Sequence, residues 1–456
     1  IILGTNSIKD TGFDVANSCR FNSGSSDYLN NTSVASVTNR LKFTISLWVK
    51  RSTLGAKSMI GTVGGDSTNF GAIWFDSSDR LNCTEGSGGG TLNFITNRVF
   101  RDVSAWYNII LAIDTTQGTE SNRVKIYVNG VQETSFSTST YPSQNSNMHL
   151  NRGGKTQYIG RHTDSSNNYY FDGYMTEVVW VDGQQLSNTD LGEFDSDSGI
   201  WKPIDVSGLT FGNNGFYLDF EDSSALGNDA NGSNNFTVNN LTAIDQSIST
   251  CTNIFCTWNP IANYTNSVAF SEGNLVAMSG TNDQWDSGRA TMGFSKGKWY
   301  FECLFVAGVS TQYIGVVDES CKMNVANAHN ENGTTIYYNN GGGEIRKDGS
   351  FTSADYGTFS SSEVAGIAID ADNFTISVYK GGSAIVNAYA LSTTRTGFLF
   401  PMTTLLNNGD GVKVNFGSPP YSESGGNTDA NGYGNFNQSV PSGYFAINTK
   451  NLAEYG

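Results

Sequence analysis

The sequence predicts an all-β protein built as two tandem antiparallel β-sandwiches of the jelly-roll type. Three observations carry this. The chain has 456 residues, more than the ~250–300 at which a single core stops growing. Aromatic residues make up 12%, and 52 Gly stand against 7 Pro. Asn, Ser and Thr fill the gaps between short apolar runs, as expected of many strands joined by polar turns. Finally, apolar and polar residues alternate at period two, and amphipathic helical periods of useful length are nearly absent.

The elements follow in order. Phe43, Ile45, Leu47 and Val49 share one face of a strand, and Thr44, Ser46, Trp48 and Lys50 the other. Val124, Ile126 and Val128 repeat the pattern and end at the turn pair Asn129-Gly130. Trp48, Trp106 and Trp299 sit inside strand patterns and are read as core. Residues 184–194 have room for one short helical turn.

One internal echo divides the chain. IILAID (Ile109–Asp114) precedes VKIYVNG (Val124–Gly130), and VAGIAID (Val364–Asp370) precedes FTISVYKGG (Phe374–Gly382). Each is a hairpin whose first strand closes on Asp, so the two domains are expected to be related sandwiches. The expected organisation is an N-terminal arm (1–19), a first sandwich (20–204) and an Asn/Gly-rich connector (205–261). The connector carries a strand, Phe216–Phe220, able to complete the first sandwich. A second sandwich (262–420) and an extended tail (421–456), with a possible lead into further modules, complete the chain. It opens at Ile1 without Met and shows no signal peptide, which is read as trimming or as a segment of a longer protein.

Charge narrows the partners. The formal net charge is −16, from 26 basic and 42 acidic residues. No basic run exists for a phosphate backbone, so nucleic acid is not an expected partner. No window approaches the ~20 apolar residues of a membrane span, so no membrane insertion is expected. The six cysteines (Cys19, Cys83, Cys251, Cys256, Cys303 and Cys321) are spread singly and read as buried thiols, with a Cys303–Cys321 cross-strand disulfide as the less favoured alternative. The three histidines are too distant in sequence to complete a zinc set with Cys251 and Cys256.

Two family resemblances fit this frame. The first sandwich resembles the laminin-G-like branch of the concanavalin-A-like lectin/glucanase superfamily. FTISLWVKR (Phe43–Arg51), AWYNIILAID (Ala105–Asp114), VKIYVNG and IGRH…FDGYMTEVVWVDGQQLS (Ile159–Ser187) carry it, over about residues 20–203. The second resembles a SPRY domain over roughly residues 262–420. It does so through GKWYFECLF (Gly297–Phe305), YIGVVD (Tyr313–Asp318), VAGIAIDADNFTISVYKGG and VKVNFG (Val412–Gly417). The pairing, with FYLDFEDSSALGNDANG (Phe216–Gly232) between and PSGYFAINTKNLAEYG (Pro441–Gly456) at the end, is similar to virion-associated proteins of marine bacteriophages.

That similarity implies a non-catalytic tail-fibre, capsid-fibre or decoration protein on the virion surface, outside the cell. Its implied partners are other virion proteins and a host-surface glycan or protein, engaged as a homo-oligomer or as repeated copies. Two alternatives remain open: a purely structural virion module, and a secreted bacterial carbohydrate-binding or glycoside-active protein.

The family's catalytic signature, two carboxylates on one strand, is absent; Asp219 and Glu221 are the nearest pair and are read as solvated carboxylates at a turn. With three scattered histidines, no nucleophilic triad is recognisable. The loop with Asp222, Asn228, Asp229 and Asn231 offers oxygens suited to Ca2+, or else forms Asx-turns that satisfy its own backbone, the preferred reading. Sugar binding needs exposed rings beside amides. Asn168, Tyr169 and Tyr170 in the first domain fit that need, as do Tyr337, Tyr338 and Asn339, and Trp285, in the second. The plainer reading of both tyrosine loops is a surface turn with core tyrosines. If the first loop binds, one tyrosine should point inward and the other to solvent, because neighbours in extended chain point opposite ways.

Overall fold

The structure is a computed structural model and describes residues 12–63, 70–86, 91–163, 168–263, 268–280, 284–306, 311–323, 325, 328–331, 333–339, 342–352, 354–392 and 397–456. These residues fall into two compact units that meet in sequence between Thr252 and Asn253. Both are antiparallel β-sandwiches, and among the described residues helix is limited to two short α-helices and a few 3-10 turns.

In the first unit, one eight-stranded sheet runs Val131–Gln132, Val124–Val128, Trp106–Asp114, Lys42–Arg51, Gly173–Asp182, Ser18–Phe21 and Gln246–Ser247, with Phe216–Leu218 also pairing Gly173–Asp182. The facing sheet runs Phe136–Thr140, Leu92–Val99, Arg80–Glu85, Phe70–Phe75, Lys57–Val63, Thr156–Ile159, Tyr28–Thr32 and Thr237–Asn239. Alternation decides what is buried between them. Phe43, Ile45, Leu47 and Val49 are wholly buried in the inter-sheet core, with Phe43 stacked on Trp180 (6.0 Å, 10°).

The polar face of the same strand is covered as well. Thr44 Oγ1 donates to the Gln184 carbonyl (2.9 Å) and accepts from Leu186 N (2.8 Å). Asn188–Asp190 forms a single 3-10 turn within the stretch where one helical turn was expected. Asn129 and Gly130 both take positive φ (48° and 75°), as a type I′ hairpin turn requires. A side chain at Gly130 would meet the Trp201 ring at 2.1 Å, so glycine is needed twice over.

Residues 205–252 belong to this unit. Phe216–Leu218, Thr237–Asn239 and Gln246–Ser247 extend its two sheets.

The second unit has a seven-stranded sheet: Trp258–Asn263, Asp286–Ala290, Leu399–Leu405, Gln312–Asp318, Thr334–Tyr338, Glu344–Lys347 and Ser350–Phe351. Its partner runs Val268–Ser271, Val276–Ser279, Gly411–Asn415, Lys298–Phe305, Val364–Asp370, Thr375–Lys380 and Ser383–Ala390, with Phe445–Ala446 added in parallel to Lys298–Phe305.

The extended tail expected over 421–456 is not what the structure shows. Asn437 N and Gln438 N donate to the buried Glu302 carboxylate (2.9 and 2.8 Å), and the helix Thr449–Tyr455 buries Leu452 in the core. Phe436, Ile447 and Leu452 supply apolar surface that a free tail would leave in water.

All six cysteines are unbridged thiols; five are buried and Cys251 is partly so. Burial pushes the Cys83 thiol up to about 12.

Candidate functional site

The strands Arg161–Thr163 and Asn168–Tyr170 form a small two-stranded ladder with Arg161 opposite Tyr170, His162 opposite Tyr169 and Thr163 opposite Asn168. It lies against the outer face of the strand Lys57–Val63. Gly61 makes that approach possible: a Cβ there would stand 2.6 Å from His162 Cβ and 2.7 Å from the Arg161 carbonyl. Residues 164–167, the middle of the expected binding loop, lie outside the described residues.

Opposed residues of an antiparallel pair share a face, so the ladder carries two ring clusters. On one face Tyr169 stacks flat on the buried His162 (4.7 Å, 10°), and Trp74 stands 6.2 Å from Tyr169. On the other, the Arg161 guanidinium lies over Tyr28, Tyr158 and Tyr170 at 4.7, 5.1 and 5.5 Å, and it donates to Asn168 Oδ1 (2.7 Å). Asn239 Nδ2 donates to Asn30 Oδ1 (2.7 Å) beside Tyr28, which adds a pair of amides to the same patch.

Asn168 is exposed, and Tyr169 and Tyr170 are both half-buried. The two tyrosines thus point to opposite faces as extended backbone demands. Neither is the inward core ring that was expected, because each faces a partner on the sandwich surface. Trp74, Tyr28, Tyr158 and Arg161 complete the patch beyond the residues the sequence singles out. Their signal was alternation: Tyr28 and Tyr158 point away from the buried Leu29 and Ile159.

The second unit rearranges its candidates. Tyr337 faces the inter-sheet core, is wholly buried, packs edge-on to Phe359 (5.7 Å, 80°) and donates its hydroxyl to the Gly357 carbonyl. It cannot present a ring to a ligand. Asn339 is also structural: its amide donates to the Phe359 carbonyl (3.1 Å) and accepts from Phe359 N (2.7 Å).

Tyr338 takes the outer face and stacks on Tyr313 (4.5 Å, 19°). Trp285 is half-buried, with its ring 4.0 Å from His329 and 5.7 Å from Tyr313. With Phe351 at 5.5 Å from Tyr338, a row of five rings crosses this sheet. Arg346 lies over Phe351 (4.5 Å) and donates to Tyr313 Oη (3.2 Å). Burial, with Arg346 acting in the same direction, pulls His329 down to about 3, so its imidazole is neutral.

In the loop with Asp222, Asn228, Asp229 and Asn231, side-chain oxygens are turned onto the backbone of the same segment. The Asp229 carboxylate accepts from the backbone N–H groups of Tyr217, Asn231 and Asn234 (3.0, 3.2 and 3.0 Å). Asp222 accepts from Ser224 N and Oγ (2.9 and 2.6 Å), Asn231 Nδ2 donates to the Ser207 carbonyl (2.7 Å), and Asn228 is exposed. The Asp229 oxygens are thereby spent on N–H donors. Among the described residues no three acidic, His or Cys side chains gather as a metal site. Asp219 accepts from Glu221 N (3.1 Å) where the strand ends, a turn rather than a catalytic pair.

One carboxylate escaped sequence reading. Glu177 sits at a bulge in Gly173–Asp182 with φ +49°. Burial pushes it up to about 8, opposed by the hydrogen bond from Tyr217 Oη (2.7 Å). The cavity beside it, bounded by Ser46, Trp48 and Pro203, is about 10 Å3, room for no more than one water. No polysaccharide reaches it.

Residues 23–190 match a laminin-G-type family described as the concanavalin A-like lectin/glucanases superfamily, and residues 298–419 match the SPRY domain. The first unit thus contains a laminin-G-like, concanavalin-A-like domain, and the second a SPRY domain. Among solved structures, the SPRY domain of human HERC1 is 16% identical, with a TM-score of 0.29, over 34% of this chain and 96% of that one. A putative carbohydrate binding protein from Bacteroides ovatus is 17% identical (TM-score 0.36) over 50% of this chain and 59% of that one. A heptameric SAP-like pentraxin from Limulus polyphemus is 11% identical (TM-score 0.31) over 50% of this chain and 94% of that one. No curated protein matches the sequence.

Proposed function

We propose that this laminin-G-like domain and the SPRY domain after it form a non-catalytic adhesion protein on the surface of a bacteriophage virion, as a tail fibre, capsid fibre or decoration, which attaches to glycans. The observation that carries the binding half is the patch around Asn168, Tyr169 and Tyr170. Half-buried rings and the exposed Asn168 amide sit side by side on the sandwich surface, the combination that takes the apolar face of a pyranose and its hydroxyls. The virion half rests on the resemblance of the paired domains to phage virion proteins.

A patch of this kind is worth a few kcal/mol, hence a site of roughly millimolar affinity. Repeated copies on one particle then raise avidity by ~10²–10⁴-fold. The test is a glycan array probed with the chain displayed in many copies. A discrete set of bound glycans, lost on Tyr169→Ala, supports adhesion. A blank array, together with labelling of the chain between neighbouring virion proteins, supports the structural-module reading instead.

A further inference from the structure

We propose that the first unit holds a second, separate binding site: a pocket for one terminal sugar that bears a methyl group, either a 6-deoxyhexose or an N-acetylhexosamine. A cavity of about 230 Å3 opens where the chain crosses from the edge strand of one sheet, Val131–Gln132, to the edge strand of the other, Phe136–Thr140. Its floor is the edge of the inter-sheet core, formed by the buried Phe94, Val124 and Ile126. Phe136 and Tyr141 wall it, both edge-on to Phe94 at 5.1 and 4.8 Å.

The rim has the opposite character. Gln132 and Ser139 are exposed, and the Glu133 carboxylate is held in place by Arg98 (2.9 Å) and Ser135 N (3.1 Å). Apolar floor and polar rim select the ligand. The volume lies below the ~300–1,000 Å3 typical of drug-sized ligands, so one small ring fits and an oligosaccharide does not. An aromatic and aliphatic floor offers nothing to a hydroxyl, and burying one there unpaired is unfavourable. A methyl group gains from the same contact. Hydroxyls at the rim meet the exposed Gln132 amide and Ser139 hydroxyl. The pocket shares no residue with the hairpin patch, so it extends the glycan-binding reading without depending on that patch.

The test is saturation-transfer NMR on the whole chain with L-fucose, L-rhamnose, N-acetylglucosamine and glucose. The expected result is strongest transfer to a methyl resonance, with glucose weaker by about tenfold in affinity. Which methyl sugar responds separates the deoxy from the acetyl source. Made in the Tyr169→Ala background, which silences the hairpin patch, Ser139→Trp fills the mouth from an exposed position and should abolish transfer at unchanged Tm, and Gln132→Ala should weaken it. Tyr169→Ala should leave it intact, so loss of array binding in that variant and loss of pocket binding are read separately. In the Tyr169→Ala background, equal transfer to glucose, no transfer to any of the four sugars, or transfer that persists once Ser139→Trp is added to the folded protein would each overturn the proposal.

Discussion

Tyr169 lies flat on His162, with ring centroids 4.7 Å apart and 10° between planes. The stack fixes one face of the tyrosine and leaves the rest of the ring at the surface. Tyr169→Ala should therefore lower stability by only about 0.5–1.5 kcal/mol, the scale of one aromatic pair. It should weaken glycan attachment roughly tenfold or more once copies are linked. Tyr170→Ala, which uncovers the Arg161 guanidinium, should show a similar stability loss. Thermal unfolding and cell-attachment assays on the same preparations check both.

Gly61 tests the placement of the hairpin without touching a ring. Gly61→Ala puts a methyl group 2.6 Å from His162 Cβ. Overpacking of this kind is unfavourable by about 1–3 kcal/mol, and relief requires the hairpin to lift. The expected outcome is a lowered Tm together with reduced attachment, measured by calorimetry and the same binding assay.

Glu177 predicts a pH effect of definite sign. Its folded value is raised by burial from 4.5 to about 8. Between those values the unfolded chain has released the proton while the folded chain keeps it. The stability that neutral Glu177 contributes is full below about pH 4.5 and is lost as pH rises through about 8, with a slope of at most ~1.4 kcal/mol per unit. Glu177→Gln, neutral throughout, should flatten the fall in Tm between pH 5 and 8. Parallel curves for both proteins would contradict the assignment.

The echoed hairpins share more than sequence. Lys42 lies opposite Asp114 in register, with its Nζ 3.1 Å from the carboxylate, and Lys298 stands 3.0 Å from Asp370 in the same relation. Burial acts to raise both aspartates, but hydrogen bonds from the turn residues and the lysine outweigh it and hold them below the usual range. Their contribution is present above the unfolded value and lost as pH falls through the folded one. Asp370→Asn should cost about 1–2 kcal/mol at pH 7, a difference that shrinks toward pH 3 in denaturant titrations.

Glu302 anchors the C-terminal segment. Its oxygens accept from Tyr300 Oη, Asn415 Nδ2 and the backbone N–H groups of Asn437 and Gln438. Glu302→Ala leaves buried donors unpaired at about 1–3 kcal/mol each. It should make residues 421–444 sensitive to limited proteolysis while the sandwich resists.

The strands were legible because alternation at period two is a local property. Phe43, Ile45, Leu47 and Val49 declare their face without reference to the rest of the chain. Tyr337 and Tyr338 show the limit: two adjacent tyrosines look alike in sequence, and a single step of register sends one to the core and the other outside. The bulge at Glu177 hid its burial for the same reason. The ring row of the second unit joins Trp285, Tyr313, His329 and Tyr338 from separate segments, and the hairpin patch joins Tyr28, Tyr158 and Arg161. Such clusters exist only once the sheets pair. Composition disguised the C-terminal segment, because Gly and Asn that resemble a free tail also make the turns that fold it back.

The most direct test of the adhesion account is attachment of the whole chain, displayed on beads in many copies, to host cells and to their purified surface polysaccharide, with Tyr169→Ala beads alongside. The account predicts attachment that soluble polysaccharide competes away and that falls about tenfold or more in the variant at unchanged fold. Attachment equal for both proteins, or none to cells and polysaccharide alike, contradicts it.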